Sequence, residues 1–182
     1  RGGLEKLYPG GCEARESDGI VEGSGTREGA TERFVGLVGK AALNAVRAWR
    51  FADIAWRMLD APPPRLEVYL DCATHAARLD EEKHILTEFI VDMGVALASL
   101  GRRGTRVGLT VTGKAGGGVY VALAAPALRV ASLHGADIQV LPGSAVAAIL
   151  GEARESVPAF EDYRAAGVSD QEVKLGLVPG NP

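Results

Sequence analysis

A β-branched run, Val107-Gly-Leu-Thr-Val-Thr112, breaks into Gly113-Lys-Ala-Gly-Gly-Gly118 and then into the apolar, helix-forming Val119-Tyr-Val-Ala-Leu-Ala-Ala125. This stretch, within Arg106 to Ile149, constrains the fold more than any other part of the chain. A strand that turns through glycines into a helix points backbone N–H groups at whatever occupies the turn, and glycine lets that occupant approach the main chain closely. The expected occupant is negative: a phosphate, or an oxyanion that forms during a reaction.

The flanking sequence supplies more units of the same kind. Phe34 to Val38 reads as a strand. Ala42, Ala45, Val46, Trp49, Ala52, Trp56 and Leu59 then recur at three- and four-residue spacing, with Arg47, Arg50, Asp53 and Arg57 on the other face, which predicts an amphipathic helix stopped by Pro62-Pro63-Pro64. Leu66 to Leu70 is a short strand and Asp71 to Leu79 a loop. A second helix carries Leu86, Phe89, Ile90, Met93, Leu97 and Leu100 on one face, and Gly101-Arg-Arg-Gly104 ends it with cations where the helix dipole favours them. Beyond Ala125 come strands around Leu128 to Ser132 and Asp137 to Leu141, a helix from Ser144 to Leu150, and two short helical pieces around Ala159 to Ala165 and Asp170 to Lys174. Strands alternating with crossover helices imply an α/β fold with a mostly parallel sheet. Residues 1–33 are rich in Gly, Glu, Arg and Ser and read as an irregular or short-stranded segment ahead of a domain spanning 34–182.

Composition removes several functions. With 182 residues and 47% hydrophobic side chains the chain can build one sizeable core. A net charge of −3 without a Lys/Arg cluster argues against a nucleic-acid surface. Cys12 and Cys72 form no C-x-x-C motif, and the sequence holds no signal peptide and no long uncharged apolar run. A soluble protein of a reducing, cytoplasmic compartment is expected, away from membranes.

Familiar catalytic motifs are missing too. Lys114 directly follows Gly113, so the glycine run is not a G-x-x-x-x-G-K-[ST] phosphate loop, and Ala115 stands where a dinucleotide fingerprint needs glycine. G-x-S-x-G occurs nowhere. His75, His84 and His134 lack ligand spacing and read as surface or loop histidines, so no metal is expected. A serine protease would need its nucleophile just past the glycine turn, where positions 116 to 118 are all glycine. A thioester hydratase or isomerase would need a carboxylate nearby; residues 113 to 136 contain none, and Asp137 is the nearest candidate.

Together the two strand-loop-helix units, over Val35 to about Pro179, resemble the crotonase superfamily and its carboxyltransferase branch. The start of the loop (Gly113-Lys114-Ala115), the Ala-rich segment at 145–148, and a tail reading Val157-Pro-Ala-Phe-Glu-Asp-Tyr163 then Leu175-Gly-Leu177 are similar to the gamma subunits of biotin-independent malonate decarboxylases. The resemblance implies a crotonase-like fold in which Leu66 to Asp71, Glu81 to Leu100, Arg106 to Thr112, Gly113 to Ala125 and Ile138 to Leu150 are the successive parts. It also implies decarboxylation of a malonyl thioester. On that resemblance the thioester would be carried on the phosphopantetheine arm of an acyl-carrier protein or of coenzyme A, with no other cofactor, and a homologous beta-type subunit would close the site.

In such a site the backbone amides of Gly116, Gly117 and Gly118 would stabilise the enolate oxygen, with Gly113, Lys114, Asp71, Gly143 and Ser144 bordering the substrate. The serine at 144 could also cap its helix, and amides around Gly143 to Ala145 would replace a missing donor. That donor is a first-loop glycine of many crotonase relatives, absent from Asp71-Cys-Ala-Thr-His-Ala76. The family loop also usually holds a larger residue and a serine where this chain has Gly116-Gly117-Gly118. Simpler readings stand beside these: Asp71 caps its turn, Lys114 is solvated, Arg102 and Arg103 end a helix rather than touch a carrier protein, and Trp49 and Trp56 are core. Two alternatives remain open, a catalytically silent structural subunit and half of a biotin-dependent carboxyltransferase.

Overall fold

The structure, a computed structural model, describes residues 4–72, 85–139 and 159–174. In chain order its elements are α1 (Leu4–Leu7), β1 (Cys12–Ser17), β2 (Ile20–Arg27), β3 (Ala30–Lys40), α2 (Ala45–Arg57), a 3-10 turn (Met58–Asp60), β4 (Arg65–Cys72), α3 (Leu86–Arg102), β5 (Arg106–Gly116), α4 (Gly117–Ala124), β6 (Arg129–Leu133), β7 (Asp137–Gln139), α5 (Phe160–Ala165) and β8 (Gln171–Val173). One sheet runs β1-β2-β3-β4-β5-β6-β8, with β7 added beside the end of β5. From β3 onward every pairing is parallel, whereas β1, β2 and β3 form an antiparallel meander. The expected α/β architecture with a mostly parallel sheet is therefore present.

Strand alternation sorts the side chains between two faces. Leu66, Val68 and Leu70 of β4 and Val107, Leu109 and Val111 of β5 pack into the larger core, under Phe51 and Ala55 of α2 and Met93, Leu97 and Leu100 of α3. Tyr69 points the other way, into a smaller cluster with Tyr8, Val21 and Phe34. There Tyr8 stacks on Phe34 at 5.2 Å between ring centroids, and Tyr69 meets Tyr8 edge-on at 6.3 Å, their hydroxyls 2.8 Å apart. Coverage on both faces explains why the central strands are buried on both sides, Glu67 and Thr110 included.

The helix after β4 forms as its spacing predicts. Leu86, Ile90, Met93, Leu97 and Leu100 are buried, Phe89 packs partly against the core, and Gly104, at φ +92°, terminates the segment. Each fully buried leucine contributes about 1.5–3 kcal/mol relative to exposure. At Gly94 a methyl group would lie 2.8 Å from the Ala122 carbonyl oxygen, so glycine sets the approach of α3 to α4.

Two expectations are corrected and one open reading is decided. In α2 the buried arc is Ala45, Ala48, Phe51, Ala52, Ile54 and Ala55, while Val46 and Trp49 are exposed. Arg47, assigned to the polar face, is buried. Its guanidinium donates to the carbonyls of Gly19 (2.9 Å), Val38 (3.2 Å), Ala42 (3.3 Å) and Ala41 (3.4 Å), so it ties the β1–β2 turn and the end of β3 to the helix start. Residues Asp170 to Lys174 are not helical. Gln171–Val173 form β8, held in parallel register on β6 from Ala131↔Gln171 to Leu133↔Val173. A three-residue strand gets its stability from its partner, which local propensity does not register. Of the two readings of the N-terminal segment, irregular or short-stranded, the structure shows short strands. Cys12 pairs with Gly25 and Ser17 with Ile20, β2 continues onto β3, and Ala30 to Arg33 belong to the same strand as Phe34 to Val38. Glycine serves close packing there: a methyl on Gly25 would sit 2.4 Å from the Tyr8 ring.

Candidate functional site

The glycine run lies where β5 passes into α4, at the carboxyl end of the parallel strands. That is where α/β sheets place their binding sites. The strand does not stop at Thr112. It continues through Gly116 because Lys114, Ala115 and Gly116 find new partners in Asp137, Ile138 and Gln139 of β7. Gly116 is extended (φ −161°, ψ 163°) and stands at the N-cap of α4 without a side-chain cap. Gly117 is left-handed at φ +55°, a conformation that penalises any Cβ. The helix thus begins at Gly117, two residues earlier than the sequence suggests.

This turn grades from interior to solvent: Gly116 is buried, Gly117 half-buried and Gly118 exposed, with open space where a Gly118 side chain would stand. The first amides of a helix have no intrahelical acceptor and carry the positive end of its dipole. Here they belong to glycines and no side chain caps them. The arrangement suits a carbonyl oxygen that gains negative charge.

The Asp71 carboxylate accepts the Lys114 backbone N–H at 2.9 Å, a partner neither of its sequence readings anticipated. Gly113 makes that contact possible, because a methyl there would lie 2.2 Å from Asp71 Oδ1. The Lys114 side chain is exposed. Asp137 lies opposite Lys114 across the β5–β7 ladder, and its Oδ2 accepts from Gln139 Nε2 at 2.8 Å. Gly143, Ser144 and the helix expected over Ser144 to Leu150 lie outside the described residues, as do His75 and His84. The two-loop arrangement of amides is accordingly not placed. Of the remaining singled-out residues, Arg102 and Arg103 are exposed at the end of α3, Trp56 donates to Asp92 Oδ1 at 3.0 Å, and His134 Nδ1 lies 2.8 Å from Glu172 Oε1. Among the described residues no three His, Cys, Asp or Glu side chains converge to hold a metal, and no helix is long and apolar enough to cross a membrane.

Sequence reasoning missed a buried polar group on the other face of the sheet. Glu67 Oε1 accepts from Thr110 Oγ1 at 2.6 Å and Oε2 meets Arg129 at 2.7 Å, with Arg27 3.8 Å away and paired in turn to Glu32 at 2.9 Å. Burial pushes the Glu67 carboxyl above its usual range, against the opposing pull of Arg129, Thr110 and Arg27. Gly108 leaves room for it, since a methyl there would approach Oε2 to 2.7 Å. An acid inside an apolar strand, two strands from an arginine, was the available signal. It sits near the start of β4, away from the glycine turn.

Comparison with solved structures fits this geometry to a known fold. Over 94% of the chain, the backbone superposes on a subunit of the Pseudomonas malonate decarboxylase MdcD–MdcE heterodimer with a TM-score of 0.72 at 19% identity, covering 77% of that subunit. Transcarboxylase 12S, solved with hydrolysed methylmalonyl-coenzyme A bound, gives a TM-score of 0.76 at 15% identity over 94% of this chain and 36% of its own. The fold is that of the crotonase-type carboxyltransferases. The beta subunit of Pseudomonas aeruginosa geranyl-CoA carboxylase shares it as well, with a TM-score of 0.71 at 13% identity over 90% of this chain and 40% of that one. No family profile and no curated protein matches the sequence. In the crotonase-type frame, the β5–α4 junction is one strand-to-helix turn among several parallel strand ends, and it is the one built from three consecutive glycines.

Proposed function

We propose that this chain is a carboxyltransferase-type subunit of a malonate-decarboxylase-like enzyme. It acts on a malonyl thioester, carried by an acyl-carrier protein or coenzyme A, together with a homologous beta-type subunit. The observation that carries this reading is the uncapped start of α4, with left-handed Gly117 and open Gly118, on a backbone shared with malonate decarboxylase subunits. Decarboxylation breaks the bond between the carboxylate and the α-carbon; carbon dioxide leaves and the electron pair moves onto the thioester carbonyl as an enolate. A proton then returns to the α-carbon, giving the acetyl thioester. Amide donors aimed at the forming oxyanion lower that barrier by about 3–4 kcal/mol each. No nucleophile is required, which accords with a turn made of glycines. The partner subunit supplies the second wall. Support for a partner comes from the malonate decarboxylase neighbours, which are a heterodimer and heterotetramers.

A second reading, carboxyl transfer involving biotin, draws on the transcarboxylase match, whose TM-scores of 0.76 and 0.73 are level with those of the decarboxylases at 0.72 and 0.75. Co-expression with the products of neighbouring genes, followed by assay of carbon dioxide release from malonyl thioesters with and without avidin, separates the two. Avidin-insensitive release that needs both subunits is expected. Avidin-sensitive transfer favours the biotin reading, and an assembled complex whose rate does not depend on this chain's glycine turn makes it a structural subunit.

A further inference from the structure

We infer that Asp71 is a positioning residue: its carboxylate staples an irregularity in β5 that aims the strand's end, and with it the Gly117 and Gly118 amides, at the substrate. This rests on the oxyanion reading above. The geometry begins with register. Leu70 of β4 is opposite Val111 of β5, yet Cys72 is opposite Ala115, so β5 spends four residues where β4 spends two. The surplus falls at Thr112 to Lys114, a bulge, and a bulge bends its strand and redirects the residues beyond it. It also falls where β5 changes neighbour, from β6 (Gly108 to Val111) to β7 (Lys114 to Gly116).

A bulge interrupts ladder hydrogen bonds and leaves its amides free to take other acceptors. Asp71 supplies one. Its Oδ1 accepts from the Lys114 N–H at 2.9 Å, while Thr112 Oγ1 reaches the Leu70 carbonyl at 3.4 Å. The space the carboxylate fills is the space a Gly113 side chain would need, with Cγ 2.5 Å and Oδ1 2.2 Å from the ideal Cβ position. An acid at the penultimate position of β4 and a glycine at the centre of the bulge are therefore one device. Only Ala115 separates the stapled amide of Lys114 from Gly116, where the strand ends just before α4. A carboxylate used this way acts through a single acceptor oxygen, so its charge is dispensable. An asparagine, which keeps that acceptor, preserves the staple; an alanine does not.

The test uses the assembled complex and three variants, Asp71→Ala, Asp71→Asn and Gly113→Ala, with circular dichroism to verify folding. Hydrogen exchange of the peptide covering residues 112–120 is followed alongside steady-state turnover of malonyl thioester. Asp71→Ala is expected to speed exchange of that peptide at least tenfold and to lower kcat at least tenfold with KM changed less than threefold. Asp71→Asn stays within threefold of wild type in both. Gly113→Ala, which displaces the carboxylate, behaves as Asp71→Ala even if the latter fails to fold. Unchanged exchange and kcat in Asp71→Ala and Gly113→Ala would overturn the inference. So would an Asp71→Asn variant with wild-type exchange and a kcat as low as that of alanine, because Asp71 would then serve the substrate directly. Accelerated exchange in a complex that turns over no malonyl thioester would refute the proposed function and leave the staple standing.

Discussion

Gly117 and Gly118 are neighbours with opposite demands, and substituting alanine at each in turn isolates the one that the turn requires. Both changes restrict the unfolded chain equally, so that contribution, about 0.4–1 kcal/mol in favour of folding, cancels when the variants are compared. The remaining difference is conformational. At Gly117 the φ of +55° costs alanine about 1–2 kcal/mol. At Gly118 φ is not positive and no atom lies within 4 Å of the added methyl, so alanine keeps its advantage in a helix. Gly118→Ala should therefore exceed Gly117→Ala in stability by about 1–2 kcal/mol, or about 2–8 °C in Tm for a chain of this size. Urea unfolding followed by the fluorescence of Trp49 and Trp56 measures the difference. The methyl of Gly118→Ala also enters the open space in front of the amides, so turnover in the assembled enzyme should drop at least tenfold in the more stable protein. A Gly118→Ala variant less stable than Gly117→Ala would refute the backbone assignment. One that is more stable and fully active would remove substrate from that space.

Two further perturbations probe the forces that hold the sheet. Arg47→Ala removes a buried guanidinium that satisfies four carbonyls and should cost more than about 3 kcal/mol in urea unfolding; a loss below about 1 kcal/mol would show that those carbonyls find other donors. The Glu67 carboxyl titrates above its usual 4.5 in the folded chain, so its neutral form is the one folding favours: its contribution is complete below pH 4.5 and is lost as pH rises through the folded value. Wild-type stability should accordingly decline with pH across that window relative to Glu67→Gln, and parallel pH profiles for the two proteins would contradict the burial argument.

The legible parts of the fold are those whose burial is local and one-sided. Leu86, Ile90, Met93, Leu97 and Leu100 declare their helix because one face alone is apolar, and Val107 to Val111 declare a strand because Val107, Leu109 and Val111 alternate on one face. Helix α2 misleads because small alanines and Phe51 carry its contact, while the larger Val46 and Trp49 pull the apparent apolar face round toward solvent. Arg47 is buried only because a hairpin from 28 residues earlier folds over it, and no window on the helix contains that hairpin. The same holds for β8, which exists as a partner of β6, and for the β1–β2 hairpin, whose glycines weaken local strand preference but admit Tyr8 and Phe34. At the candidate site the glycine turn was legible from composition alone. Its staple was not: Asp71 and Lys114 lie 43 residues apart, and the bulge that joins them is a property of strand register.

The most direct measurement is a structure of the chain assembled with its partner and a non-hydrolysable malonyl thioester analogue. The thioester carbonyl oxygen should lie about 2.7–3.1 Å from the backbone nitrogen of Gly117 or Gly118, the range expected of an oxyanion donor. A thioester bound elsewhere, or one whose carbonyl stands beyond hydrogen-bond reach of both amides, would contradict the assignment of the β5–α4 junction as the site of the chemistry.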